Sequence, residues 1–184
     1  PPALLAILSN LTTAFPAPIL VVQHISSGFT DGFARWLGAA SGLPVHVAQA
    51  GERPLSGHVY VAPDDQHLAV GAYGALQTTR DPPCHGLRPS VDVLFRSVAE
   101  RFGRRAVGVL LTGMGRDGAD GLKLMADRGA LTLAQDKESC VVFGMPAEAI
   151  KLGAARYVLP PPKIAEFLLA TFTRGAKSEV IHGR

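Results

Sequence analysis

The stretch Val107 to Leu122, VGVLLTGMGRDGADGL, constrains the fold of this 184-residue chain more than any other. Val107, Val109, Leu110 and Leu111 make an apolar, β-branched run too short for a helix, and it reads as a fully buried strand. Thr112-Gly113-Met114-Gly115 then turns the chain, with glycines able to take backbone angles that other residues resist. A helix is predicted from near Asp117, with Leu122 and Met125 inward, ending at Gly129. Strand, glycine turn and helix start in succession is the point where α/β folds place their chemistry, because loop amides and the helix N-terminus converge there.

That turn admits more than one reading. Gly113, Gly115 and Gly118 match G-x-G-x-x-G, and Asp136 lies near the position of a ribose-binding acid, which together suggest a dinucleotide site. Against this, Asp117 and Asp120 lie at the anion-binding end of the helix and would repel a pyrophosphate, a repulsion that Arg116 only partly offsets. Asp117 is alternatively a functional carboxylate displayed by a tight turn, or simply the N-cap of the helix, since Asp is favoured there.

The rest of the chain alternates helices and strands. Pro1 to Leu8 reads as an apolar helix opened by proline, Ile19 to Gln23 as a buried parallel strand, and His24 begins the loop that follows it. Thr30 is expected to cap a helix carrying Phe33, Trp36, Leu37 and Ala40, ended by Gly42. Short strands are predicted at 45–48, 58–62, 67–71 and 75–79, the last two paired as an antiparallel hairpin through Ala72-Tyr73-Gly74. Residues 80–90, RDPPCHGLRPS, form a loop long enough to suspect function, and Ser90 caps a helix with Val91, Leu94, Phe95, Val98 and Phe102 on one face. After the central stretch come a strand at 130–135, a helix opened by Pro146, a strand at 157–159 and a C-terminal helix after Pro160. The tail beyond Gly175 is expected to fray.

The alternation predicts an α/β fold: a mostly parallel, doubly wound sheet with helices on both faces and an antiparallel hairpin, in a single domain spanning 1–184. Parallel strands end on one edge, so His24 and Asp117, which follow different strands, are expected to meet there. A histidine oriented by a carboxylate is most of a nucleophilic triad.

Hydrophobic residues at 47% against charged residues at 18% exclude a disordered chain. The net charge of +3 is spread out, so nucleic acid is not the expected partner. No apolar window approaches the length of a membrane span, no signal-peptide pattern begins the chain, and a cytoplasmic location with no membrane insertion is expected. Cys84 and Cys140 form no disulfide framework or metal knuckle, and Cys140 reads as a packed small hydrophobe. The histidines (His24, His46, His58, His67, His85 and His182) show no paired metal spacing, so neither a metal nor any other cofactor is expected.

The blocks LTGMGRDGADGL, AQDKESCVVFGMPAEAI, LRPSVDVLF, VYVAPDDQHL and VVQHISSGFTDGFARWL together resemble the catalytic domain of bacterial chemotaxis protein-glutamate methylesterases, the CheB family. The resemblance covers almost the whole chain in order. It implies a hydrolase of glutamyl methyl esters on methyl-accepting chemoreceptors, in some members also a glutamine deamidase, with a Ser-His-Asp triad. His24 matches the family histidine in VQH, Asp117 the aspartate in GMGxDG, and Met114 the residue whose backbone N–H contributes to the oxyanion hole. The family serine lies in a G-x-S-x-G-G turn immediately before the segment matching Pro1-Pro2-Ala3-Leu4, and that strand and turn are not among these residues. A chain of these residues alone is therefore expected to be inactive, and a phosphorylated receiver domain, common ahead of the family's catalytic domain, is a further implied partner. Asp64 stands where many members have glycine, and Ser26 and Ser27 stand where prolines are frequent. Those serines, on the histidine's own loop, are poor nucleophile candidates. Arg88 and Ser90 either border a substrate cleft or serve as a surface cation and a helix cap.

Overall fold

The computed structural model describes residues 1–179, with side chains described through Phe172. In chain order the elements are α1 (Pro2–Leu8), β1 (Ile19–Val21), α2 (Thr30–Ser41), β2 (Val45–Val47), β3 (Val59–Val61), β4 (His67–Val70) and β5 (Leu76–Thr79). There follow α3 (Val91–Phe102), β6 (Val107–Leu110), α4 (Ala119–Asp127), β7 (Leu131–Gln135), α5 (Met145–Lys151), β8 (Tyr157–Leu159) and α6 (Pro161–Glu179).

The strands pair as the apolar runs require. β1, β3 and β2 form one parallel sheet in that order, and β6, β7 and β8 form another. β4 and β5 make an antiparallel ribbon around Tyr73, which lies in the left-handed region at φ 56°. The α/β architecture with a hairpin is the one expected, although the parallel strands divide into two short sheets. Among the described residues, β1 and β6 each have a hydrogen-bonded strand neighbour on one side only. No described helix is long and apolar enough to cross a membrane.

One apolar core joins both halves: Tyr60 from β3 and Ala62 just after it, Leu94 and Phe95 from α3, Leu110 from β6, and Leu122 and Met125 from α4. The 3.6-residue spacing on α3 and α4 turns these side chains toward one another. The first turns of the two helices are thereby brought together at the end of β6.

The starts of two helices differ from expectation. Thr30 is the first residue of α2 and not its cap, because its hydroxyl donates to Asp64 Oδ1 across the molecule. Asp117 does not cap α4. Gly118 takes the N-cap position with φ 89°, and the Asp117 carboxylate turns away toward α3. A β-carbon on Gly118 would lie 2.7 Å from both Leu110 Cδ1 and Val91 Cγ1, so this position needs glycine for its backbone angle and for the close packing of β6 against α3. The last helix continues through Glu179, past the expected fraying point at Gly175, and the final residues lie outside the described ones.

The Gly118→Ala protein should be less stable than the wild type by about 1–3 kcal/mol, as for other overpacked sites, with a lower urea midpoint at an unchanged slope. A wild-type midpoint would mean that this contact does not constrain the turn.

Candidate active site

The site forms where the ends of β1 and β6 deliver their loops. His24 Nε2 donates a hydrogen bond to Asp117 Oδ2 at 2.9 Å, across 93 residues of sequence. The Asp117 side chain is 1% exposed, whereas His24, at 28%, keeps a face toward solvent.

Asp117 is held from several directions. Ser90 Oγ donates to its Oδ1 at 2.6 Å, the Val91 amide to Oδ2 at 2.7 Å, and the Asp92 amide to Oδ1 at 3.2 Å. These amides are the first N–H groups of α3, which have no partner within the helix, and they attract an anion. Ser90 is the N-cap residue of α3 but makes no capping bond of its own. Its hydroxyl goes to Asp117, and the carboxylate serves as the cap.

Burial works to raise the Asp117 pKa, but the hydrogen bonds from His24, Ser90, Val91 and Asp92 outweigh it and hold the pKa below the ordinary 3.8. The carboxylate is therefore the stable form. As an acceptor, it requires the proton of the shared hydrogen bond to sit on His24 Nε2. Nδ1 is then the nitrogen with a free lone pair.

Two supporting residues, Asp64 and His67, lie in the VYVAPDDQHL block, but their partners were not foreseen from the sequence. Asp64 accepts the Gly28 amide at 2.8 Å as well as the Thr30 hydroxyl, which ties the His24 loop to the turn after β3. His67, buried, accepts the Ser90 amide at Nδ1 (3.2 Å) and donates from Nε2 to the Pro82 carbonyl (3.2 Å). Their partners lie 15 to 36 residues away in sequence, and no local periodicity marks these bonds. Arg88, by contrast, reaches neither His24 nor Asp117. It bonds Asp65 and the carbonyls of Arg80 and Asp81, and so fastens the 80–90 loop.

The glycine turn is anchored on its outer side. Gly113 donates to the Val142 carbonyl at 3.1 Å, Thr112 donates from its amide to Gln135 Oε1 at 2.8 Å, and the Met145 amide reaches the Gly113 carbonyl at 2.9 Å. Met114 is 81% exposed, and its amide donates to no acceptor among the described residues. An open apolar groove lined by Ile25, Phe29, Phe33 and Trp36 runs beside the His24 loop.

The competing readings lose their residues to other partners. Asp136 accepts the amide and hydroxyl of Ser139, and Asp120 is paired with Arg116 at 2.9 Å. Burial raises the Cys140 thiol pKa, the reverse of an activated nucleophile. Neither Ser26 nor Ser27 is hydrogen-bonded to His24.

A buried, hydrogen-bonded carboxylate that orients a partly exposed imidazole beside the unpaired Met114 amide is an arrangement chemically suited to proton transfer in acyl transfer. Comparison with known proteins gives the family. The CheB methylesterase family profile matches residues 1–168. The chain is 58% identical over 168 residues to a "Protein-glutamate methylesterase/protein-glutamine glutaminase" of Nitrosospira multiformis, covering 91% of this chain and 47% of that protein. It is 53% identical over 169 residues to a similarly named protein of Geobacter metallireducens, covering 91% and 49%. The crystal structure of the Thermotoga maritima CheB methylesterase catalytic domain superposes with a TM-score of 0.89 at 42% identity, covering 92% of both chains. This chain belongs to the CheB methylesterase family, and it spans about half the length of the curated relatives it matches.

Because the Asp117 pKa is depressed in the folded protein, its contribution to stability is present above the unfolded value near 3.8 and is lost as pH falls through the folded value. Asp117→Asn should therefore show a shallower acid-side decline of unfolding free energy than the wild type below about pH 4. Equal slopes would mean that Asp117 titrates alike in both states. Ser90→Ala should cost about 1–2 kcal/mol in urea unfolding, since it removes a donor to a buried charge.

Proposed function

We propose that this chain supplies the histidine, aspartate and oxyanion amide of a hydrolase acting on glutamyl methyl esters of chemoreceptors, with glutamine deamidation as the related second reaction. The observation that carries the reading is the bond from His24 Nε2 to an Asp117 carboxylate buried in the N-terminus of α3. Family membership and the printed names of the relatives support the substrate class. The nucleophile is the serine of the family's G-x-S-x-G-G turn, which precedes the segment matching Pro1. Its strand would pair with the edges of β1 and β6, each of which has a strand neighbour on one side only among the described residues.

In this mechanism His24 Nδ1 takes the serine hydroxyl proton as the oxygen attacks the ester carbonyl. Asp117 stabilises the resulting imidazolium without accepting its proton. The Met114 amide donates to the developing oxyanion. His24 returns the proton to the departing methoxide, which leaves as methanol, and water then releases the free glutamate by the same steps. For a glutamine side chain the leaving group is ammonia. A phosphorylated receiver domain is the regulatory partner and the cytoplasm the place of action, both carried over from the family resemblance.

In a protein that carries the serine turn ahead of Pro1, Asp117→Asn should lower ester turnover by up to about 10⁴-fold, with the fold retained. Turnover near the wild-type rate would remove Asp117 from the triad. Met114→Leu should be mild because the backbone amide is the donor, whereas Gly115→Val should be severe because φ at Gly115 is 85°. Equal, large losses would assign the role to the Met114 side chain instead. A protein without the serine turn should release no methanol from methylated receptor, and measurable release would redirect attention to Ser26 and Ser27.

A further inference from the structure

A second cluster of chemically reactive side chains includes Asp92, whose amide donates to Asp117, and the proposed hydrolysis makes no use of the cluster's side chains. Cys84 and His85 sit on a tight turn in the 80–90 loop. Cys84 and Leu87 exchange backbone hydrogen bonds at 2.9 and 3.0 Å, and the central residues His85 and Gly86 both take left-handed angles, φ 52° and 75°. This is a two-residue hairpin turn of the type that needs positive φ at both central positions. His85 occupies a conformation uncommon for a residue with a side chain, of the kind that gathers at functional positions.

The turn aims His85 at the helix starts. Its Nε2 lies 3.0 Å from Asp92 Oδ2 and 3.8 Å from Asp120 Oδ2. Cys84, His85 and Asp92 each offer a ligand atom, and these atoms all lie within 4.8 Å of one another. Asp92 is fully buried, and its other oxygen accepts the Gly121 amide, which fixes the orientation of the carboxylate. Asp120 is half-buried and bonded to Arg116 in an exposed pair of the weak kind, so it is free to turn.

We propose that Cys84, His85, Asp92 and Asp120 form a binding site for a divalent transition-metal ion of the zinc type. A thiolate, an imidazole and carboxylates are the donor set that zinc accepts in four-coordinate sites. In such a site, with bonds of about 2.0–2.3 Å, ligand atoms lie roughly 3.3–3.7 Å apart. The 3.0 and 3.8 Å separations from His85 already bracket that range, and the Cys84 thiol and the Asp120 carboxylate must move inward. On binding, the Cys84 thiol loses its proton to solvent, and His85 ligates as the neutral imidazole, giving up the proton on Nε2 and carrying one on Nδ1 instead. Binding therefore tightens as pH rises. The ion ties the 80–90 loop to the first turns of α3 and α4. Because the Asp92 amide also donates to Asp117, the clamp stiffens the cradle of that carboxylate without touching the reacting atoms.

The histidines show no paired spacing in the sequence, since the site draws on a turn and two helices. The fold also sets His46 Nε2 3.0 Å from His58 Nδ1, at the β2–β3 edge. That pair lacks a thiolate or carboxylate and serves as the internal control.

Cobalt(II) titration of the purified protein tests the site, with stoichiometry read from metal analysis and ligation from absorption. The wild type should bind one equivalent with a thiolate-to-cobalt charge-transfer band and the strong visible bands of a tetrahedral centre. Cys84→Ser should lose the charge-transfer band. His85→Asn, which suits the left-handed backbone and removes the ligand, should weaken binding at least about tenfold. Cys140→Ser and His46→Ala should behave as wild type, and zinc should raise the melting temperature of the wild type but not of Cys84→Ser. A charge-transfer band retained in Cys84→Ser, binding lost in His46→Ala, or no binding at micromolar metal would each overturn the proposal.

Discussion

The capture of the Asp117 carboxylate by the N-terminus of α3 is the interaction on which the site depends. A charged group that is 1% exposed is tolerated only when its desolvation is offset, and here the offset comes from His24, Ser90 and the amides of Val91 and Asp92. The same bonds satisfy helix amides that would otherwise lie buried without partners. Helix and carboxylate therefore stabilise each other, and removal of either leaves the other's polar groups exposed to a dry interior.

Everything that positions Asp117 also positions His24. β6 ends where α3 begins because Gly118 lets Leu110 and Val91 meet over it. The His24 loop is fastened from the opposite side by Asp64, through the Gly28 amide and the Thr30 hydroxyl. His67 holds the Ser90 amide, so the donor to Asp117 is itself supported. The imidazole is thus held through its carboxylate at one end and its loop at the other.

Local periodicity made much of the fold legible in advance. The apolar runs around Leu20, Tyr60, Leu110 and Leu133 became parallel strands, and the 67–79 segment became the hairpin. The meeting of His24 and Asp117 also followed from strand-end geometry, because parallel strands share a C-terminal edge. What the sequence concealed was long-range polar partnership. Asp117 looked like the cap of the helix after it and instead caps the helix before it, a choice set by three-dimensional proximity to Val91 and Asp92. Thr30 looked like a cap and bonds Asp64. His85 appeared solitary until a turn with positive φ carried it to Asp92. Side-chain hydrogen bonds across dozens of residues leave no periodic trace, so they appear only once the core has placed both partners.

The protonation state of the His24 ring tests the central claim most directly. Long-range proton–nitrogen NMR correlations distinguish the two neutral tautomers of a histidine and can be read on the folded protein without substrate. If Asp117 is an ionised acceptor, neutral His24 carries its proton on Nε2 and leaves Nδ1 bare, and Asp117→Ala abolishes that preference. A neutral His24 with its proton on Nδ1 in the wild type, or a tautomer unaffected by loss of the carboxylate, would contradict the account.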